Sequence, residues 1–454
     1  MAKLFGSSGI RGLANVDLTP LFACKVGLAV AAYAKAKKAV VARDTRVSGD
    51  MLEDALVSGL LSSGTDVYLA GIVPTPTLAY ATRALGADVG FMLTASHNPP
   101  QYNGIKVFRG DSLSYADEDQ DAVENNALKG TFALSDWRSL GKTIPVNASQ
   151  IYMQMALKAA PLHKPWRVVV DPGCGATFNI APALLKAIGC KVTAINAQPD
   201  GYFPARKSEP TADSLKDLAT IVKTLGAEAG VAFDGDGDRV AFVDEKGVFV
   251  SFDRSLAAYA AYALKQSGGG TVVTNVEASM CVETMVQAQG GRVIRTRVGD
   301  IYVSEAIKRS GAVFGGEPCG AWVHPQSHYC PDGPLSAALM FKALEEENKS
   351  LSEFISAVPE YITRRENIAY KNAQKYKAVA KIGAALKTEF ADYNDFSTVD
   401  GVRLTLKHGW LLVRASGTEP LIRLTVEGES LAVANHITEK ATAVIRKEVE
   451  AEMK

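Results

Sequence analysis

The stretch of this chain best equipped for chemistry is Asp234-Gly235-Asp236-Gly237-Asp238-Arg239, which directly follows the apolar run Val231-Ala232-Phe233. Three carboxylates held this close repel one another unless a cation lies among them, and hard oxygen donors suit Mg²⁺. The alternating glycines let the backbone curl until all three acids face one point. A solvated acidic turn is the plain alternative, but such turns rarely abut a buried strand on both sides. A calcium-binding helix–loop–helix needs helical flanks and a glycine where Arg239 stands, although Glu245 does fall at its twelfth position. An aspartyl-phosphate hydrolase would use the same local sequence, with Asp234 as nucleophile at the strand end, and stays open as a rival.

A second stretch, Thr94-Ala95-Ser96-His97-Asn98-Pro99-Pro100, is kept out of regular structure by its Pro and Asn residues. Ser96 beside His97 is no hydrolytic triad, because adjacent side chains seldom face each other and no G-x-S-x-G elbow is present. A serine that carries a phosphoryl group opposite a Mg²⁺ site does make chemical sense, since the metal offsets charge on the transferring oxygens. A third stretch, Arg414-Ala415-Ser416-Gly417-Thr418-Glu419-Pro420 with Arg423 beyond, combines hydroxyls, a glycine and two guanidinium groups. That set suits a phosphate dianion, against the alternative of a capped hairpin turn. No Walker lysine follows any Gly-rich stretch, which excludes an NTP-binding P-loop. Finally, Glu317 lies in the Gly/Pro frame of Gly315-Gly316-Glu317-Pro318-Cys319-Gly320. It could accept sugar hydroxyls or simply be a buried acid satisfied by backbone amides.

The elements that must position these loops repeat. Ala39–Ala42, Arg167–Val170 and Thr271–Val273 read as first strands of three sets, and Asp66–Ala70, Lys191–Ile195 and Arg292–Thr296 as second strands. Asp88–Leu93, Glu228–Phe233 and Gly311–Phe314 read as third strands, with helical stretches such as Ser214–Leu225 between. Each third strand leads straight into one polar loop: Ser96, then the aspartates, then Glu317. Ligands of α/β sheets gather at the carboxyl ends of strands, so three equivalent loops imply one cleft walled by three domains. From about Asn367 the order changes to strand, helix (Ala378–Phe390), three strands (Val402–Leu406, Trp410–Arg414, Ile422–Glu427) and a long amphipathic helix, an α+β unit. The expected domains are residues 1–147, 148–251, 252–365 and 366–454.

Composition bounds the rest. The 454 residues are 47% hydrophobic and 22% charged, ordinary globular values that exclude a disordered chain. With 49 basic and 49 acidic residues, no global field draws in nucleic acid or an acidic membrane, and any anion site must be built locally. The six scattered cysteines form neither a CxxC pair nor a zinc spacing. The opening residues lack the apolar core of a signal peptide, and no apolar run spans a bilayer. A cytoplasmic protein with no membrane or nucleic-acid partner is the expectation.

The four loops together, in this order, resemble the α-D-phosphohexomutase family along essentially the whole chain. Gly6-Ser7-Ser8-Gly9-Ile10-Arg11-Gly12 is also similar to the family's opening. The resemblance implies three related α/β domains with mixed sheets and a TATA-binding-protein-like α+β fourth domain around one cleft. It implies Ser96 as phosphoserine, with Asp234, Asp236, Asp238 and a serine-phosphate oxygen holding one Mg²⁺ per chain. Arg11, His97 and Arg239 would flank the reaction, and Lys106, in Asn103-Gly104-Ile105-Lys106, would assist proton transfer. Glu317 and Cys319 would meet the sugar, while Arg414, Ser416, Gly417, Thr418 and Arg423 would hold the phosphate that is not reacting.

The implied reaction moves a phosphoryl group between O6 and O1 of a hexose phosphate, through phosphoserine and a hexose 1,6-bisphosphate that also serves as activator. The partner is then a small sugar phosphate, and the enzyme a monomer or homodimer. Arg297-Val298-Gly299-Asp300 resembles the phosphoglucosamine mutase branch, and the chain as a whole its archaeal members, which points to glucosamine 6-phosphate and glucosamine 1-phosphate. Mannose, glucose or pentose phosphates are the alternatives, and a phosphosugar-binding protein without turnover a more distant one. The family's sugar loop usually reads Glu-x-Ser-Gly-His. Here Cys319 replaces the serine and Ala321 the histidine, leaving His328 or His324 to stand in unless those residues are structural and Lys106 works alone.

Overall fold

The computed structural model describes residues 5–6, 9–130, 132, 134–371, 374–416 and 420–453. Three of its sheets share one strand order. In the second, Val240–Asp244, Ala229–Phe233, Arg167–Asp171 and Lys191–Ala194 lie side by side, the last three parallel and the first antiparallel. The third repeats this with Trp322–Val323, Phe314–Gly316, Thr271–Asn275 and Arg292–Thr296. The first repeats it with Tyr102–Arg109, Val89–Leu93, Lys38–Arg43 and Asp66–Ile72, extended by Phe5–Gly6 and Gly9–Leu13 on one edge and Thr143–Pro145 on the other. The sheets are therefore mixed. Helices cover both faces, which is why the parallel strands read as unbroken apolar runs rather than alternating ones.

The antiparallel return strand is what the strand–helix–strand pattern did not disclose. In every repeat it follows the polar loop and brings the chain back beside the third strand, so each loop is a short connection pinned at both ends. The third strand of the third set also begins at Phe314, not Gly311. Gly311 closes the helix Asp300–Ser310 in the left-handed conformation (φ 65), and that cap uses the residues that looked like strand. Likewise the helix expected from Ser214 starts at Lys216.

The fourth sheet is antiparallel throughout: Ile362–Ala369, Leu421–Gly428, Gly409–Ala415, Val402–Leu406 and Asp395–Ser397. Helices Lys375–Glu389 and Leu431–Met453 pack against it around a separate core that includes Leu404, Leu411 and Ile422. The first strand starts at Ile362 and runs across the 365/366 boundary expected from sequence. One large core, by contrast, runs from the first repeat through the second to the third, joining Met92, Phe233, Phe314 and Phe341. The fourth unit docks on the third through Val276, Trp410 and Leu412, where Trp410 Nε1 and the Met280 N–H both donate to Glu427 Oε1 at 2.8 Å. All six cysteines are free. Among the described residues, no helix is long and apolar enough to cross a membrane.

Candidate active site

The three loops meet. Ser96 sits between Leu93 and Tyr102 in the left-handed conformation (φ 50), buried, and its Oγ donates to Asp234 Oδ2 at 2.6 Å. Gly235 lets the backbones approach, since a Cβ there would lie 2.5 Å from the Ser96 carbonyl oxygen. The third loop is stitched to the second by the Val240 N–H, which donates to Gly320 O at 3.0 Å. Calcium-loop geometry is absent: the flanks of the aspartates are strands, and Glu245 is bonded elsewhere, by Ser352 Oγ at 2.5 Å.

Asp234, Asp236 and Asp238 are all buried, with one oxygen of each lying within 4.8 Å of the others. The N–H groups of Gly237 (3.0 Å) and Arg239 (3.2 Å) donate to Asp234 Oδ1. Lys106, on the return strand, places Nζ at 2.7 Å from Asp236 Oδ2 and 2.6 Å from Asp238 Oδ2, and Thr75 Oγ1 donates to Asp236 Oδ2 at 2.6 Å. Burial, and then the neighbouring carboxylates, push Asp234 and Asp238 above the ordinary range. Burial works against Asp236 too, but the Lys106 ammonium overcomes it and holds that carboxyl low. Burial alone would lower Lys106; Asp236 and Asp238 outweigh it and keep the amine charged.

These residues fit a divalent cation. Asp236 Oδ1 and Asp238 Oδ1 are buried with no hydrogen-bond partner among the described residues, an arrangement that costs free energy unless a cation takes up the lone pairs. The aspartate oxygens and Ser96 Oγ are the hard donors that Mg²⁺ prefers.

Around this centre, Ser96 Oγ lies 3.3 Å from His97 Nδ1, and burial, helped by the Arg239 and Arg11 charges, pushes the imidazole down to about 3. Arg11 comes from the strand Gly9–Leu13 and donates from Nη1 to Asn98 Oδ1 at 2.9 Å. Arg239 reaches toward Glu209 (3.5 Å) and Asp238 (4.0 Å). Ser96, Lys106, His97, Arg11 and Arg239 are thus drawn to one place.

Glu317 Oε1 accepts from Asn275 Nδ2 at 2.7 Å and from the Gly299 N–H at 2.8 Å. Burial, reinforced by Asp300, raises its carboxyl to about 7. Cys319 is half-buried beside Arg239, and burial pushes its thiol up to about 12, so it stays a neutral, weak donor. Arg414 is engaged across the unit boundary by Glu277 and, within its own unit, by Asp400 at 2.8 Å. Two strings then join Arg414 to Glu317. Asn275 Oδ1 accepts the Glu277 N–H at 2.9 Å, and Asp400 accepts the N–H of Val298, the residue before Gly299, at 3.0 Å. Ser416 is buried with its N–H on Leu421 O at 3.0 Å, and Arg423 lies opposite Arg414 on the neighbouring strand. Gly417 and Thr418 lie outside the described residues.

Neither candidate substitute for the missing histidine is free to act beside Glu317. His328 has both ring nitrogens occupied, by Asp332 Oδ2 (2.8 Å) and the Cys330 N–H (3.2 Å). His324 is buried against Tyr259 and Phe314 with Nε2 on Ser336 Oγ at 2.8 Å, and burial pushes it down to about 3. Both are structural. Sequence reasoning overlooked Thr75, Asn275 and Arg46. Asn275 ends a first strand as Asp171 does, and Asp44 directly follows one, a parallel that could have marked it.

Four profiles of the phosphoglucomutase/phosphomannomutase family match in succession: α/β/α domain I at residues 2–134, domain II at 150–247, domain III at 251–361 and the C-terminal domain at 366–444. The chain is 42% identical to a "Probable phosphoglucosamine mutase" of Methanopyrus kandleri and 41% identical to one of Pyrococcus abyssi, covering 99% and 98% of each pair of chains. Its structure is similar to that of a phosphoglucomutase/phosphomannomutase family protein from Burkholderia thailandensis, with TM-score 0.88, 27% identity and 98% and 97% of the two chains covered. It shares the fold of Aspergillus fumigatus N-acetylphosphoglucosamine mutase, solved with GlcNAc-6P and magnesium, at TM-score 0.62 and 16% identity over 98% and 96% of the chains.

Proposed function

This chain belongs to the phosphoglucomutase/phosphomannomutase family and is a hexose phosphate mutase, and from that premise we propose that Ser96 is its phosphoryl carrier and glucosamine 6-phosphate its substrate. One observation carries the assignment of Ser96: its hydroxyl lies 2.6 Å from Asp234 inside a buried trio of acids. Asp234, Asp236, Asp238 and a Ser96 oxygen would hold one Mg²⁺ per chain, and that ion offsets negative charge on the phosphoryl oxygens when bound.

In each half-reaction the P–Oγ bond of phosphoserine breaks as a P–O bond to the free sugar hydroxyl forms, and the hydroxyl proton ends on Ser96 Oγ. Lys106 supports this as a charged group between Asp236 and Asp238, able to give and regain a proton beside the transferring group. Half-buried Arg11 and Arg239 add positive charge, and His97, held neutral, lies beside Ser96 Oγ. Glu317 grips hydroxyls common to both substrate orientations. Arg414, Ser416, Gly417, Thr418 and Arg423 hold the non-reacting phosphate. A hexose 1,6-bisphosphate primes the enzyme, and the first two domains are taken as residues 1–147 and 148–251, the third as running from 252 up to the strand that opens the fourth at Ile362.

The phosphatase reading fares worse, because both Asp234 oxygens are occupied, Oδ2 by Ser96 and Oδ1 by two backbone N–H groups, which disfavours attack by that carboxylate. Two measurements test the proposal. The phosphoenzyme should resist acid and eliminate in alkali, with the phosphate on Ser96; a hydroxylamine-labile phosphate on Asp234 would overturn the assignment. Turnover of glucosamine, mannose, glucose and ribose phosphates, with Mg²⁺ and a bisphosphate primer, should give the highest kcat/KM with glucosamine. Another sugar ahead of it would replace the substrate but leave the mutase.

A further inference from the structure

The loop that carries Ser96 is tied down from outside itself. Arg46, just past the strand Lys38–Arg43, is 1% exposed, and its guanidinium uses every side-chain N–H direction. Nη1 donates to the carbonyls of Pro99 (2.7 Å) and Tyr102 (2.8 Å), and Nη2 to those of Ser96 (2.8 Å) and Asn98 (2.7 Å). Nε donates to Asp44 Oδ2 at 3.0 Å. That same oxygen accepts Thr94 Oγ1 at 2.7 Å, and Thr94 Oγ1 accepts the Ser96 N–H at 2.8 Å. The second unit completes the cage: the Phe203 ring lies 5.2 Å from the guanidinium carbon, and Ser208 Oγ donates to the His97 carbonyl at 2.7 Å.

Ser96 needs this support. A non-glycine residue at φ 50 persists only where its surroundings over-determine it. Four carbonyls converging on one point would repel one another without a planar, permanently charged donor between them. A lysine at this position offers a compact ammonium in place of the fork and cannot reach four carbonyls and a carboxylate together.

We propose that Arg46 is a positioning residue for phosphoryl transfer, one that sets the backbone of the Ser96 loop so that the hydroxyl stays beside Asp234. This rests on the reading of Ser96 as phosphoryl carrier. Arg46 is buried and has no side-chain N–H left for a substrate, and on this reading the sugar and the distal phosphate are held by other loops, so its loss falls on kcat and not on KM.

The test compares Arg46→Lys, Arg46→Ala and Thr94→Val in turnover of glucosamine 1-phosphate with Mg²⁺ and bisphosphate primer, alongside thermal melting. Arg46→Lys should lose on the order of 100-fold in kcat, as a misplacement of about 1 Å does, with KM within about threefold. Arg46→Ala should lose more, and guanidinium ion at tens of millimolar should restore it about tenfold while ammonium at equal ionic strength does not. Thr94→Val cuts only the Asp44–Thr94–Ser96 link and should lose about tenfold in kcat, which keeps the proposal testable if the Arg46 variants do not fold. An unchanged kcat in Arg46→Lys, no guanidinium rescue of a folded Arg46→Ala, a loss confined to KM, or an unchanged kcat in Thr94→Val overturns it. Separately, full turnover in Ser96→Ala would remove the carrier reading itself, whatever the Arg46 variants do.

Discussion

At the scale of single residues, Glu317 shows how a site stores free energy. Its carboxyl is raised from the ordinary 4.5 to about 7, chiefly by burial. Below pH 4.5 both folded and unfolded chains hold the proton, and the group is neutral to stability. Between 4.5 and 7 the unfolded chain releases a proton that the folded one keeps, so stability falls as pH rises and the penalty is complete above 7. It amounts to roughly 3 kcal/mol. Glu317→Gln keeps an Oε1 for Asn275 and Gly299 but cannot ionise. Its melting temperature should match the parent near pH 4 and exceed it at pH 8, while KM for the sugar phosphate rises; a gain equal at both pH values would contradict the argument. The aspartate trio makes a parallel case. Mg²⁺ should raise the melting temperature of the parent and do so much less in Asp236→Asn, read by calorimetry with and without chelator.

At the scale of elements, the placement of the loops follows from the return strands. A polar loop closed at once by an antiparallel strand is pinned at both ends, and Lys106 reaches Asp236 and Asp238 because it sits on such a strand. The strings from Glu317 through Asn275 and Gly299 to Glu277, Asp400 and Arg414 tie the Glu317 loop to the fourth sheet. Asp400→Asn weakens a half-exposed pair, so its direct cost should be within about 1 kcal/mol and shrink with added salt. Faster amide exchange in Gly409–Ala415 is the expected sign; unchanged exchange would show that the clamp does not hold this strand.

At the scale of the molecule, one core joins the first three units while the fourth has its own. Calorimetry should therefore resolve one large transition for residues 9–361 and a smaller one for the fourth unit. Trp410, 1% exposed, fills the seam between them. Trp410→Ala should cost about 3–5 kcal/mol and move the fourth unit's transition down much further than the other. A single transition that shifts as a whole would show that the four units melt together. Arg297–Asp117 (2.9 Å) and Lys308–Asp111 (2.5 Å) link the first and third units, but these pairs are exposed and stabilise little.

Much of this was legible in the chain itself, because local chemistry is local in sequence. The Asp-Gly-Asp-Gly-Asp spacing, the strand before each loop, and the repeat of the pattern depend on near neighbours and survive as patterns of residue type. The return strands were harder to see, since Tyr102–Arg109 contains Asn103-Gly104, which reads as a turn, and a two-residue strand such as Trp322–Val323 leaves no periodicity. What only the folded molecule decided is pairing over long separations. Ser96 meets Asp234 across 138 positions and Asn275 meets Glu317 across 42, while His324 and His328, which looked like candidates for catalysis, are claimed by Ser336 and Asp332. Burial is set by the whole packed chain, and burial determines whether a polar side chain is satisfied by its own protein or left for a ligand.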